Sequence, residues 1–193
     1  TTVSANPTSG FSVVTYTGNG TANATVGHGL GAGISPSKGM IIIKRKDVAS
    51  DWAVFHPYTT NANWYLKLNS TSAQIGDATV FPLDPSLGLF TLGTNSIVNA
   101  SGGNYVAYCF AEVEGFSKFS SYTGNGSTDG PMVYCGFKPA FIMVKATNVS
   151  GTSWVMHDIQ RQSYNILASE LIANSSAAET SSARFDILSN GFK

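Results

Sequence analysis

Charge is what this chain has least of. Asp, Glu, Lys and Arg together make up 11% of the residues, against about 25% in an ordinary soluble domain. The 11 basic and 11 acidic side chains cancel to a formal charge of zero. No basic stripe of the kind that tracks phosphates is present, so nucleic acid is not an expected partner. Long hydrophobic runs are missing too. Stretches such as residues 40–43 fall far short of the roughly 20 apolar residues that cross a bilayer as a helix, and no membrane insertion is expected. There are only two cysteines, Cys109 and Cys135. Both sit among apolar neighbours at a spacing that fits no zinc pattern, and they read as buried free thiols.

Chemical motifs are equally scarce. The glycine-rich stretch 31–39 lacks the Gly-Lys-Ser/Thr ending of a phosphate loop. No Gly-x-Ser-x-Gly elbow occurs. The three histidines, His28, His56 and His157, hold no shared position when the two halves of the chain are aligned, and a triad or metal site needs convergent partners. Glu112 and Glu114 are the only acids spaced to share a strand face, as a glycosidase pair would. Their place between the two halves of the chain reads as a solvated junction. The expectation is a protein without enzymatic activity, cofactor or metal.

What the chain has is Ser, Thr, Asn and Gly: 24, 18, 14 and 20 of them. These residues favour turns and solvated strand faces and are poor in helix interiors. The 42% hydrophobic content is too high for a disordered linker. Strand signals, short runs of Val, Ile, Tyr, Phe and Trp between turn residues, fall at 11–17, 40–45, 52–56, 64–68, 104–112, 116–122, 132–137, 140–146 and 153–157. The one helix-like stretch is 164–173. Asn-Gly at 19–20 and 125–126 marks tight turns.

An internal repeat organises these segments. Gly10-Phe11-Ser12 and Tyr16-Thr17-Gly18-Asn19-Gly20 return as Gly115-Phe116-Ser117 and Tyr122-Thr123-Gly124-Asn125-Gly126. Met40-Ile41-Ile42-Ile43-Lys44 returns as Phe141-Ile142-Met143-Val144-Lys145, and Trp52-Ala53-Val54 as Trp154-Val155-Met156. Leu68-Asn69-Ser70 answers Ala173-Asn174-Ser175. The reading is an all-β chain of two tandem antiparallel β-sandwich repeats of jelly-roll or lectin-like type. Residues 1–9 form an N-terminal extension or linker, 10–114 the first repeat, and 115–193 a second repeat lacking its last strand. That strand's counterpart in repeat 1 is Tyr105-Val106-Ala107-Tyr108-Cys109-Phe110. Either the protein continues or a neighbouring chain supplies it, and continuation is the expectation.

Trp52 and Trp154 recur at one position in both copies, which predicts a core role. Trp64 has no tryptophan counterpart, and with Tyr65 it is the candidate glycan-stacking pair.

The opening Val3-Ser4-Ala5-Asn6-Pro7-Thr8-Ser9-Gly10-Phe11-Ser12, with Val26-Gly27-His28-Gly29-Leu30-Gly31, Asp51-Trp52-Ala53-Val54 and Asn99-Ala100-Ser101-Gly102-Gly103, resembles tandem domains of bacteriophage tail-fibre and related virion proteins. Phe185-Asp186-Ile187-Leu188-Ser189-Asn190-Gly191-Phe192-Lys193 resembles the same group. The resemblance implies a virion structural protein, extracellular, with lectin-like sandwiches and no catalytic residues. It would assemble with itself, as a trimer if it builds a fibre, and with other virion proteins, and could contact a host surface glycan. The alternative is a carbohydrate-binding module of an extracellular protein.

Overall fold

The computed structural model describes residues 1–86 and 88–193. Its strands are β1 (Thr2–Asn6), β2 (Phe11–Thr17), β3 (Ala24–Gly27), β4 (Met40–Arg45), β5 (Trp52–Phe55), β6 (Trp64–Lys67), β7 (Ile75–Gly76), β8 (Leu89–Leu92) and β9 (Asn104–Phe110) in the first lobe. The second lobe holds β10 (Val133–Tyr134), β11 (Phe141–Val144), β12 (Val155–Asp158), β13 (Leu167–Ile172), β14 (Thr180–Phe185), β15 (Ile187–Leu188) and β16 (Gly191–Phe192). A single helical turn, α1 (Ser96–Asn99), precedes β9. The protein is all-β and antiparallel throughout.

Lobe 1 is built on a seven-stranded sheet in the order β1-β2-β9-β4-β5-β6-β7, faced by the β3-β8 pair. Period-2 alternation sends Val14, Tyr16, Ile41, Ile43, Phe55, Tyr65, Tyr105, Ala107 and Cys109 to one face. There they meet Val26, Phe90 and Leu92 of β3 and β8, together with Leu30, Ile34, Val80, Phe81 and Val98 from the connections, in one core. Asn99 closes the end of this core. It is 1% exposed. Its amide nitrogen donates to the carbonyls of Thr21 (2.9 Å) and Gly93 (2.8 Å), and its side-chain oxygen accepts from Asn19 N (2.9 Å). Satisfying three backbone groups at once makes a buried asparagine tolerable.

Lobe 2 has a four-stranded sheet, β11-β12-β13-β14, and a small one, β10-β16-β15. Between them lies a smaller core of Val133, Ile142, Leu167, Phe185, Ile187 and Phe192. The β11–β14 order runs as β4–β7 does.

The two lobes meet through the outer faces of their large sheets. Ile42, Val54 and Leu66 from lobe 1 cluster with Trp154 from lobe 2, flanked by Trp52, Tyr108, Phe110 and Met143. Trp154 is 4% exposed, and its indole nitrogen donates to Lys67 O at 2.9 Å. Backbone bonds from Gln74 N to Thr147 O (2.7 Å) and from Gly151 N to Thr71 O (2.8 Å) stitch the loops beside it. The central strands of lobe 1 are therefore covered on both sides, which explains why residues 40–43 read as an unbroken apolar run.

Four sequence expectations change here. Residues 116–122 form no strand. Their counterpart β2 is held by β1 and β9, and among the described residues lobe 2 has no strand in the β9 position. Residues 164–173 are not helical. Leu167–Ile172 is strand β13, paired to β12 and β14, so tertiary pairing overrides the helix-like Leu167/Leu171 spacing. Trp52 and Trp154 lie in the seam between lobes rather than inside either sandwich. Residues 1–9 are also not a mere extension: Thr2–Asn6 is strand β1, paired with residues 11–15 of β2.

Candidate functional site

Trp64 and Tyr65 are consecutive on β6, so they point to opposite faces. Tyr65 enters the lobe 1 core and is 4% exposed. Trp64 shares the parity of Leu66 and lies beyond the seam on the strand next to the sheet's edge, half-buried. Its ring rests on Gly76 of the neighbouring strand, where a Cβ would come within 2.9 Å of the indole. The adjoining loop is tied down by Thr59 Oγ1 donating to His56 O (3.0 Å) and Thr60 N donating to Gln74 Oε1 (2.9 Å). Tyr58, 43% exposed, stands on this loop with its ring 6.0 Å from that of His56. Burial pushes the His56 imidazole down to about 4, so it is neutral at physiological pH and Nδ1 accepts from Tyr58 N at 3.3 Å. Tyr58 is the exposed aromatic of this loop while Trp64 is half-buried, and the sequence reading did not single Tyr58 out. The Tyr-Thr-Thr-Asn run after His56-Pro57 was the available signal, because a tyrosine within a turn-rich segment is poorly placed for a core.

Glu112 and Glu114 do not face each other on a strand. β9 ends at Phe110, and the chain turns through a bridge between Val113 and Ser117. Glu112 pairs with Lys118 Nζ at 2.8 Å, while Glu114 is exposed on the turn. Both cysteines are free thiols. Cys109 is buried in the lobe 1 core, which raises its thiol to about 12 and leaves it without nucleophilic character at neutral pH. Cys135 is half-buried.

The most concentrated polar group is one the sequence did not suggest. His157 on β12 and Glu170 on β13 are 0% and 4% exposed in the lobe 2 interior, with His157 Nε2 3.5 Å from Glu170 Oε2. Arg184 of β14 reaches the same carboxylate through Nε, and Phe185 sets its ring edge-on to His157 at 5.1 Å. Strand register places this pair where lobe 1 has Phe55 and Tyr65. Burial lowers the affinity of His157 for a proton, while Glu170 opposes that effect. No group of three or more His, Cys, Asp or Glu side chains that could hold a metal ion occurs among the described residues. No helix among them is long and apolar enough to cross a membrane.

Taken together, these features define an all-β protein of two facing antiparallel lobes, whose polar side chains are spent on turns, ion pairs and one buried histidine–glutamate–arginine group. A family model described as a domain of unknown function, DUF7483, matches residues 1–193, the whole chain, and the chain belongs to that family. Neither a curated protein nor a solved structure matches it.

Proposed function

We propose that this protein is a structural component of a virion, of tail-fibre or appendage type, which assembles with copies of itself and presents a polar, nearly uncharged surface outward. The observation that carries this reading is the seam. Ile42, Val54, Leu66 and Trp154 join two sandwiches face to face and tie them with backbone hydrogen bonds. A load-bearing module needs that fixed geometry, and a pair of domains on a flexible linker would not provide it. The resemblance of the turn motifs to tail-fibre proteins supports it further. The surface polarity comes from Ser, Thr and Asn rather than from charge, which suits an external protein whose assembly is insensitive to salt.

Light scattering on the purified chain tests the assembly, with a trimer expected, because closed symmetric homo-oligomers are the rule for such proteins. Immunogold labelling of virions by antibody against the chain tests the location. A chain that stays monomeric and an antibody that labels no particle would together sink the proposal. A second reading, glycan binding, draws on Tyr58 and Trp64 lying on one loop-strand corner. A glycan array with no signal, or a signal unchanged in Trp64→Ala, removes it.

A further inference from the structure

The connection from β12 to β13, residues 159–166, and Lys138 frame a cavity of about 310 Å³ in lobe 2. That volume falls within the range of small-ligand sites, about 300–1,000 Å³. Part of its lining comes from the lobe 2 core, since Leu167 and Ile187, 2% and 6% exposed, border it. The loop is fixed by its own side chains. Gln162 Oε1 accepts from Ala168 N (2.6 Å) and Ser169 N (3.0 Å), and its amide nitrogen donates to Ile166 O (3.0 Å). Asn165 exchanges two bonds with Ile187, donating to its carbonyl (2.8 Å) and accepting from its amide (2.9 Å). Asp158 Oδ1 accepts from Gln160 N at 3.0 Å and Arg161 N at 2.9 Å. A wall held in this way loses little conformational entropy when a ligand arrives.

The remaining polar side chains around the cavity do no such work. Among the described residues, the Lys138 ammonium, the Gln160 amide, the Ser163 hydroxyl and the Tyr164 phenol line it without a hydrogen-bond partner in the protein. Lys138 also has no carboxylate within ion-pair distance among them. The neighbouring Arg161, by contrast, is taken by Asp158 and Glu179. No acidic side chain lines the cavity, so its charge is that of one lysine. Tyr164 is 74% exposed, more than any other aromatic side chain among the described residues. Gln162 and Asn165 set the backbone on either side of it, so the ring itself takes no part in fixing the loop.

We propose that this cavity binds a sugar acid, a hexuronate ring. Its single carboxylate pairs with the single cation, Lys138. The Gln160 amide and the Ser163 and Tyr164 hydroxyls can each both donate and accept, as ring hydroxyls require of their partners. The C–H face of the ring packs on Leu167, Ile187 and the Tyr164 ring. A phosphate group fits less well, because its charge is recognised by bidentate arginine or by several donors and one lysine leaves it largely uncompensated. A wholly apolar ligand would strip water from the polar groups and return no hydrogen bond. The inference stands apart from the virion reading, and its site lies in the other lobe from Tyr58 and Trp64.

The test is a titration of the ¹⁵N-labelled 193-residue chain followed by amide chemical shifts. D-glucuronate and D-galacturonate are the probes, D-glucose is the neutral counterpart and inorganic phosphate the anion control. Saturable shifts at residues 138 and 160–167 are expected with at least one uronate at millimolar concentration. Glucose should bind about fivefold more weakly, the upper value for one exposed ion pair. Lys138→Gln should bring the uronate down to the affinity of glucose and leave glucose unchanged, while Tyr164→Ala should weaken both. Both side chains are exposed, so the melting temperatures of the two variants should match the parent's. Five results would overturn the proposal. They are no saturable shift with either uronate, equal affinity for uronate and glucose, phosphate bound as tightly as the uronates (an anion contact only), unchanged uronate affinity in either variant, and shifts centred on Tyr58 and Trp64 instead.

Discussion

At the scale of single residues, stability rests on a few buried polar groups and tight approaches. Asn99 satisfies three backbone groups inside lobe 1. Asn99→Ala leaves two carbonyls and one amide without partners, at about 1–3 kcal/mol for an unsatisfied buried group. We expect a loss in the upper part of that range or above it, read by urea denaturation, and a loss below about 0.5 kcal/mol would refute the role. The histidines set the acid limit. Burial disfavours the protonated forms of His28, His56 and His157 in the fold. The unfolded chain, with histidines titrating near 6.5, therefore binds more protons just below that pH. Stability is then full above about pH 7 and falls as pH drops through 6.5 towards the folded values. His157→Phe restores the residue type of Phe55 at the matching position, so it should flatten part of that acid slope. Melts at pH 5 and pH 7 check this, and an unchanged slope would mean that Glu170 holds the imidazolium without net penalty.

At the scale of elements, the seam between lobes is the place to intervene. Trp154→Ala removes the side chain that fills the Ile42–Val54–Leu66 patch and donates to Lys67 O. Phe or Trp to Ala in a packed core costs about 3–5 kcal/mol, and the variant should unfold in two transitions where the parent shows one. Trp154→Phe keeps the packing and loses the hydrogen bond, at about 1 kcal/mol. Differential scanning calorimetry distinguishes the two cases. Strands of lobe 1 such as 11–17 and 40–45 were readable in the sequence to the residue, because β-branched runs there end in turn residues. Which face of β6 met the core was not readable. Both faces of that sheet are covered, so the parity of Trp64-Tyr65-Leu66 carries no inside–outside signal, and Tyr65 could be placed at a surface when it lies in the core. β1 escaped notice because Thr-Val-Ser-Ala-Asn is exposed at every position and its place is set by main-chain pairing with β2. The His157–Glu170 group escaped because its two members are thirteen positions apart and meet only through the β12–β13 register, which carries no sequence mark.

At the scale of the whole molecule, the all-β character was visible from turn motifs and composition, while the way the two lobes face each other was not. Outward apolar residues such as Val54 and Leu66 look like core residues until a second sheet is seen to cover them. A fragment of residues 1–114 should accordingly aggregate, since Ile42, Val54 and Leu66 would lie bare on an outer face. Replacing Val54 and Leu66 together by Thr and Gln should restore its solubility. Sedimentation of the two fragments decides the point, and a soluble unmodified fragment would show that the seam is dispensable.

The seam also bears on ancestry. Once two lobes bury a common surface, neither drifts alone: a change of volume at Val54 must be answered at Trp154, in the other lobe. Recombination that exchanged one lobe between relatives would part those answering positions, whereas exchange of the whole unit keeps them together. The span that can be exchanged without loss is then both lobes together.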